Sequence, residues 1–139
     1  MRLFLDANVL FSAAHNPDGR ARALFTLQAR GACQLIASAH AIEEARRNIA
    51  LKYPRLLAEL EQLLAEVFIV GEPSADRVLQ ARELGLPADD APILAAAVSA
   101  QADCLVTGDR SHFGPLYGRA VEGTVVVPPA DALSRLLEL

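Results

Sequence analysis

Five short stretches rich in apolar residues punctuate the chain: Leu3-Phe4-Leu5, Cys33 to Ile36, Val67 to Val70, Cys104-Leu105-Val106 and Thr124 to Val127. They are too continuous for strands with one wet face and too short for buried helices. They predict strands of a parallel sheet covered on both faces. Between them the apolar positions recur at helical spacing. The pattern predicts helices from about Asn8 to Ala14 and from Arg20 to Arg30, the latter with Ala21, Leu24, Phe25 and Leu27 on its face. Ser38 can cap a helix to about Leu51 with Ile42, Ala45 and Ile49 inward, and Pro54 opens another to about Ala65. Ser74 caps a helix to Leu84, where Gly85 stops it. Asp89 or Asp90 begins the next, to about Ala100, and Pro92 is tolerated in its first turn because that N–H has no helical partner. Pro128-Pro129 then admits a terminal helix. Strands alternating with helices make this an α/β chain.

The 139 residues suit a single domain, 1–139, since either half alone would bury too little surface for a stable core. Hydrophobic residues make up 53%, enough for a well-buried interior. Asp6 interrupts the first apolar run at once, too early for a signal peptide, and no stretch reaches the roughly 18 apolar residues of a membrane span. Both features lead us to expect a cytoplasmic protein with no membrane association. Cys33 and Cys104 lie far apart in apolar runs and read as buried thiols. The histidines His15, His40 and His112 are scattered, so no structural zinc cluster is expected. The net charge of −4 is opposite in sign to a broad nucleic-acid-binding surface. Any case for a nucleic-acid substrate must therefore come from a local site.

That case lies in the acidic residues. Ligands of a parallel α/β sheet bind beyond the carboxyl ends of its strands. Asp6 directly follows the first strand, and Asp109 follows the fourth through Thr107-Gly108, where a glycine would permit a tight turn. Asp90 precedes Ile93, Leu94 and Ala97 by helical spacing, which sets it at a helix start on the buried side. It reads either as an N-cap or as a ligand; Asp89 is the more natural cap, freeing Asp90. Periodicity leaves Glu43 and Glu44 about equally far from the inward face of their helix, and a solvated glutamate pair is the plain alternative. Together these carboxylates could form a hard-cation site. Crowded carboxylates repel one another, and Mg²⁺ or Mn²⁺ takes such oxygen ligands.

At these residues the chain resembles the PIN-domain family, including its VapC-like toxin ribonucleases. Leu3-Phe4-Leu5-Asp6-Ala7-Asn8-Val9-Leu10 is similar to the opening strand and Asp-x-Asn motif of that family. Ser38 to Ala45 resembles the helix that carries its glutamate. Asp89-Asp90-Ala91-Pro92 and the residues after it resemble the third acidic motif, and Ala102 to Asp109 the fourth. The likeness runs through the closing Pro129-Ala130-Asp131-Ala132-Leu133. It implies a central sheet of about five parallel strands in the order 3-2-1-4-5, with helices on both faces. It further implies that Asp6, Glu44, Asp90 and Asp109 are an acidic quartet binding one or two Mg²⁺ or Mn²⁺ ions. The motif register, not geometry, selects Glu44.

The same resemblance implies supporting roles for Asn8, Ser12 and Thr107, with Asp89 a neighbouring acid or the cap. Asp103, at the opposite end of its strand, reads as structural. Arg46, Arg47 and Arg110 lie near the acidic motifs and are candidate phosphate contacts, solvated surface charge being the alternative for each. His112 reads as a loop residue. The implied activity is metal-dependent endoribonuclease hydrolysis, the implied partners an RNA substrate and a cognate antitoxin, and the implied assembly a homodimer. A PIN fold that binds RNA or protein without cutting is the alternative. A phosphatase of the haloacid dehalogenase type opens similarly. It needs a second aspartate where Asn8 stands and a lysine at its site, and the only lysine here is Lys52, in a polar helix end.

Overall fold

The computed structural model describes residues 1–138, so the expected domain boundary at Leu139 lies outside the described residues. Six strands form one sheet: β1 (Arg2–Leu5), β2 (Gln34–Ser38), β3 (Phe68–Val70), β4 (Cys104–Val106), β5 (Ala120–Val121) and β6 (Thr124–Val127), in the order β3-β2-β1-β4-β6-β5. The first four and β6 run parallel, with Leu3 beside Leu35 and Cys104, and Leu105 beside Val126. These five reproduce the expected 3-2-1-4-5 order.

The apolar runs of β1, β2, β4 and β6 are continuous because successive residues feed two separate cores, whereas Phe68 and Ile69 of the edge strand β3 are exposed. Leu3 and Leu5, Leu35 and Ala37, Cys104 and Val106, and Val127 point to one side, into the packing of α1 (Ala7–His15), α2 (Arg20–Ala29), α3 (Ala39–Lys52), α4 (Leu57–Leu64) and α7 (Pro129–Leu137). Phe4, Ile36, Leu105 and Val126 point to the other, against α5 (Ala75–Arg82) and α6 (Ala91–Ser99). Each large side chain so buried contributes about 1.5–3 kcal/mol. An alternating strand would leave one of these layers without a partner. The alanines of α6 let that helix lie close on the sheet, and nearly all of it is buried. Cys33 and Cys104 are buried free thiols, as expected.

Three details depart from the sequence reading. A sixth strand, β5, pairs antiparallel with β6 across Glu122-Gly123. Both turn residues have positive φ (48° and 90°), the twist that a two-residue hairpin demands. The helix expected from Pro54 begins as a 3-10 turn, Pro54–Leu56, before α4. Asp89 does not cap α6: the N-cap position falls to Asp90, whose side chain makes no capping bond, and the turn before it closes from Asp90 N to Pro87 O. No helix among the described residues is long and apolar enough to cross a membrane.

Candidate active site

Asp6 ends β1 and is the N-cap of α1. Its Oδ1 accepts the Ala7 N–H at 2.7 Å, while its Oδ2 accepts from Asn8 Nδ2 at 3.0 Å and Thr107 Oγ1 at 2.8 Å. Asn8 ties β1 to the exit of β4, for its Oδ1 accepts the Gly108 N–H at 2.8 Å and its Nδ2 also reaches Thr107 Oγ1 at 3.2 Å. Thr107 Oγ1 in turn accepts the Asp109 N–H at 3.2 Å, and Tyr117 donates its hydroxyl to the Thr107 carbonyl. Asn8 and Thr107 thus both hold the Asp6 carboxylate. Gly108, expected to permit a tight turn, has no positive φ. The turn is made by these hydrogen bonds instead.

Asp6, Glu44, Asp90 and Asp109 line one open cleft of about 250 Å³, together with Asn8, Phe11, Ser12, Asn48 and Lys52. The four acids come from β1, α3, the start of α6 and the loop after β4, distant in sequence and joined by the topology. Glu44 is half-buried on the cleft, whereas Glu43 is exposed and paired with Arg46.

The electrostatics are only partly compensated. Asp6 is 4% exposed, and its carboxyl is pushed up to about 6, first by burial, with the charges of Glu44 and Asp90 adding to the rise. The bonds from Thr107 and Ala7 oppose that rise without cancelling it. Burial also raises Asp90, helped by Asp109 and Asp89 and opposed by His112. Crowded carboxylates of which Asp6 and Asp90 resist ionisation fit a divalent cation, which would offset the charge.

The candidate arginines are dispersed. Arg46 is turned away from the cleft, held by Glu43 and by Glu61 of α4 over a different recess. This corrects its reading as a phosphate contact: two carboxylates already engage its guanidinium. Arg47 is exposed on α3. Arg110 lines a second, larger cleft of about 770 Å³ that begins at Ser12 and Gly108 and runs past Arg20 and Tyr117 to α7. Asp89 is exposed beside Asp90. Asp103 accepts the Arg2 N–H at 2.7 Å, a structural tie as expected.

The family model for the PIN domain matches residues 2–111. The chain belongs to the PIN-domain family. None of the curated proteins matches it in sequence. Among solved structures, PAE2754 from Pyrobaculum aerophilum is 20% identical with a TM-score of 0.70, the match covering 100% of this chain and 97% of that one. VapBC2 from Rickettsia felis, bound to a DNA fragment from its promoter, is 17% identical with a TM-score of 0.68, covering 92% and 98%. The sarcin-ricin-loop-cleaving toxin VapC20 of Mycobacterium tuberculosis is 16% identical with a TM-score of 0.60, covering 86% and 97%. At these identities the likeness establishes the fold.

In this PIN domain Asn48 and Lys52 line the cleft and His112 contacts two of its acids, places that sequence reasoning did not give them. Asn48 and Lys52 follow Glu44 by four and eight residues and continue its stripe on α3. That polar stripe at helical spacing was a readable signal. Lys52 also lies over the Phe11 ring, 5.6 Å from its centroid. His112, read as a loop residue, sets its Nδ1 2.7 Å from Asp90 Oδ2 and 3.0 Å from Asp109 Oδ2. Only the fold brings Asp90 to that loop.

Proposed function

We propose that this PIN domain hydrolyses RNA phosphodiester bonds with one or two Mg²⁺ or Mn²⁺ ions, as the toxin of a toxin–antitoxin pair. One observation carries the reading: four carboxylates from four separate elements face one cleft, and the most buried of them, Asp6, resists ionisation at about 6 with its neighbours' charges contributing. A structural site would be expected to hold such acids against cations. Here the described lining sets one cation, Lys52, against four carboxylates.

Asp6, Glu44, Asp90 and Asp109 would hold the ions. When bound, these supply the charge that activates a water and offsets the developing charge on the non-bridging and leaving oxygens. Asn8 and Thr107 fix the Asp6 carboxylate so that its orientation is set before substrate arrives. The water's oxygen forms a new bond to phosphorus as the opposite P–O ester bond breaks, and the water's proton ends on the leaving oxygen through solvent. Ser12, at the junction of the two clefts, and Arg110, along the larger one, suit the passage of a strand that extends beyond the scissile bond.

The antitoxin is supported by structural neighbours of this fold solved as toxin–antitoxin complexes, VapBC2 and a complex from Klebsiella pneumoniae among them. Cytoplasmic action and a homodimer complete the reading, the latter checked by sedimentation. The decisive experiment is RNA cleavage by the purified protein with Mg²⁺ or Mn²⁺, with chelator, and after Asp6→Asn or Glu44→Gln. Glu44→Gln keeps the side chain's shape, and each variant should lose at least about a hundredfold in rate. Undiminished cleavage by both variants would refute the assignment. Folded protein with no cleavage and no Mn²⁺ binding would favour a non-cutting module.

A further inference from the structure

His112 occupies a position that its role as a loop residue does not explain. Its imidazole Nδ1 and one oxygen each of Asp90 and Asp109 form a triad whose donor atoms all lie within 4.8 Å of one another. Nδ1 stands 2.7 Å from Asp90 Oδ2 and 3.0 Å from Asp109 Oδ2. Neighbouring ligands of an octahedral cation with bonds of 2.0–2.1 Å are separated by about 2.9 Å. The nitrogen is thus at ligand spacing from two carboxylates that line the acidic cleft.

We propose that His112 is a nitrogen ligand to the cation of this cleft and makes it a mixed nitrogen–oxygen site that favours first-row transition ions over Mg²⁺. The proposal rests on the reading that the cleft binds a divalent cation. A proton on Nδ1 can be directed well at one of the two oxygens only, whereas a cation among the three atoms satisfies all of them. The ring is also placed by its backbone. The His112 N–H donates to Asp109 Oδ1 at 3.1 Å, the Phe113 N–H donates to the Asp109 carbonyl, and the Phe113 side chain is fully buried. A turn anchored at both ends therefore presents the imidazole to Asp90, although half of the side chain is exposed. Mg²⁺ prefers carboxylate and water oxygens, while imidazole suits the first-row metals and gains strength along the series from Mn²⁺ to Ni²⁺.

The test uses Mn²⁺ alone as the probe. Electron spin-echo spectroscopy of the Mn²⁺-loaded protein should show ¹⁴N modulation from a coordinated imidazole, absent in His112→Ala. By titration, His112→Ala should weaken Mn²⁺ binding at least about tenfold and Mg²⁺ binding much less. Circular dichroism and the thermal midpoint of His112→Ala check that the turn stays folded. Mn²⁺ bound to the wild type without nitrogen modulation, or equal weakening for both ions, overturns the role of His112 and leaves the acidic site standing. Absence of Mn²⁺ binding in the wild type overturns both.

Discussion

At the amino end of the sheet the carboxylate of Asp103 is exposed and accepts the N–H of Arg2, whose guanidinium donates to the Ala100 carbonyl. At the carboxyl end of the same strands, Asp6 accepts three hydrogen bonds, more than Asp103 does, yet its carboxyl is pushed up to about 6. The contrast shows that counting donors does not describe a buried acid. Three neutral donors do not offset desolvation when two further carboxylates add their repulsion. The amino end is a closed tie that holds two strands in register. The carboxyl end carries an electrostatic cost that a bound cation would relieve, which is how a site differs from a staple.

The sharpest way to test this contrast is pH. Because the folded protein binds the Asp6 proton more tightly than the unfolded chain does, stability linked to Asp6 is fully present below pH 3.8 and is lost as pH rises through about 6. The loss amounts to about 3 kcal/mol. Asp90, also raised, acts in the same direction. Urea unfolding of the metal-free protein from pH 4 to 7.5 should show this fall in the wild type and a shallower one in Asp6→Asn. Parallel curves would mean that Asp6 carries no such cost.

A slightly smaller effect should come from the cation itself. At pH 7.5, Mn²⁺ at a hundred times its dissociation constant should raise the unfolding free energy by about 2.7 kcal/mol. Asp103→Asn should leave that gain intact, and Glu44→Gln should abolish most of it. Equal gains in all three proteins would place the binding elsewhere.

How much of this was legible without coordinates depends on the range of the interaction. The inner strands were readable because each feeds two cores, so Leu3-Phe4-Leu5 had to be apolar throughout. Asp6 and Asp109 were readable because one directly follows β1 and the other lies just past the end of β4. The β5–β6 hairpin was missed because Glu122-Gly123 is a weak turn signal beside Asn-Gly, though both residues adopt the required positive φ. Glu44 could not be chosen from the inward face defined by Ile42, Ala45 and Ile49, since the cleft lies along the border of that face, where Glu44, Asn48 and Lys52 align. Of the two partners of Arg46, Glu43 lies one turn away on the same helix, but Glu61 belongs to another and could not be read from sequence. The contact of His112 was illegible for the same reason, its partner Asp90 lying at the N-cap of α6.

At the amino end the effect should be more modest. Asp103→Ala removes the acceptor for the Arg2 N–H and should cost about 1 kcal/mol in unfolding free energy. Cleavage should be unchanged, since the residue lies at the end of the sheet away from the acids. A variant that unfolded normally but cut RNA tenfold more slowly would show the two ends to be coupled.

The smallest effect should fall at Gly108, and there the sequence reading and the structure give opposite expectations. If the turn to Asp109 required a glycine, Gly108→Ala would strain the backbone and displace Asp109, costing both stability and activity. The backbone at Gly108 is not left-handed, however, and an added Cβ would meet only Asn8 Oδ1, at 3.4 Å. The Gly108 N–H that Asn8 accepts survives the change. Alanine also restricts the unfolded chain, a gain of about 0.4–1 kcal/mol where the native conformation is compatible. Contact with Asn8 offsets part of that, so stability should stay within about 0.5 kcal/mol of the wild type. Cleavage should be preserved. A loss beyond about 2 kcal/mol, read by urea unfolding, would return the aim of Asp109 to the glycine and take it from the hydrogen bonds of Asn8 and Thr107.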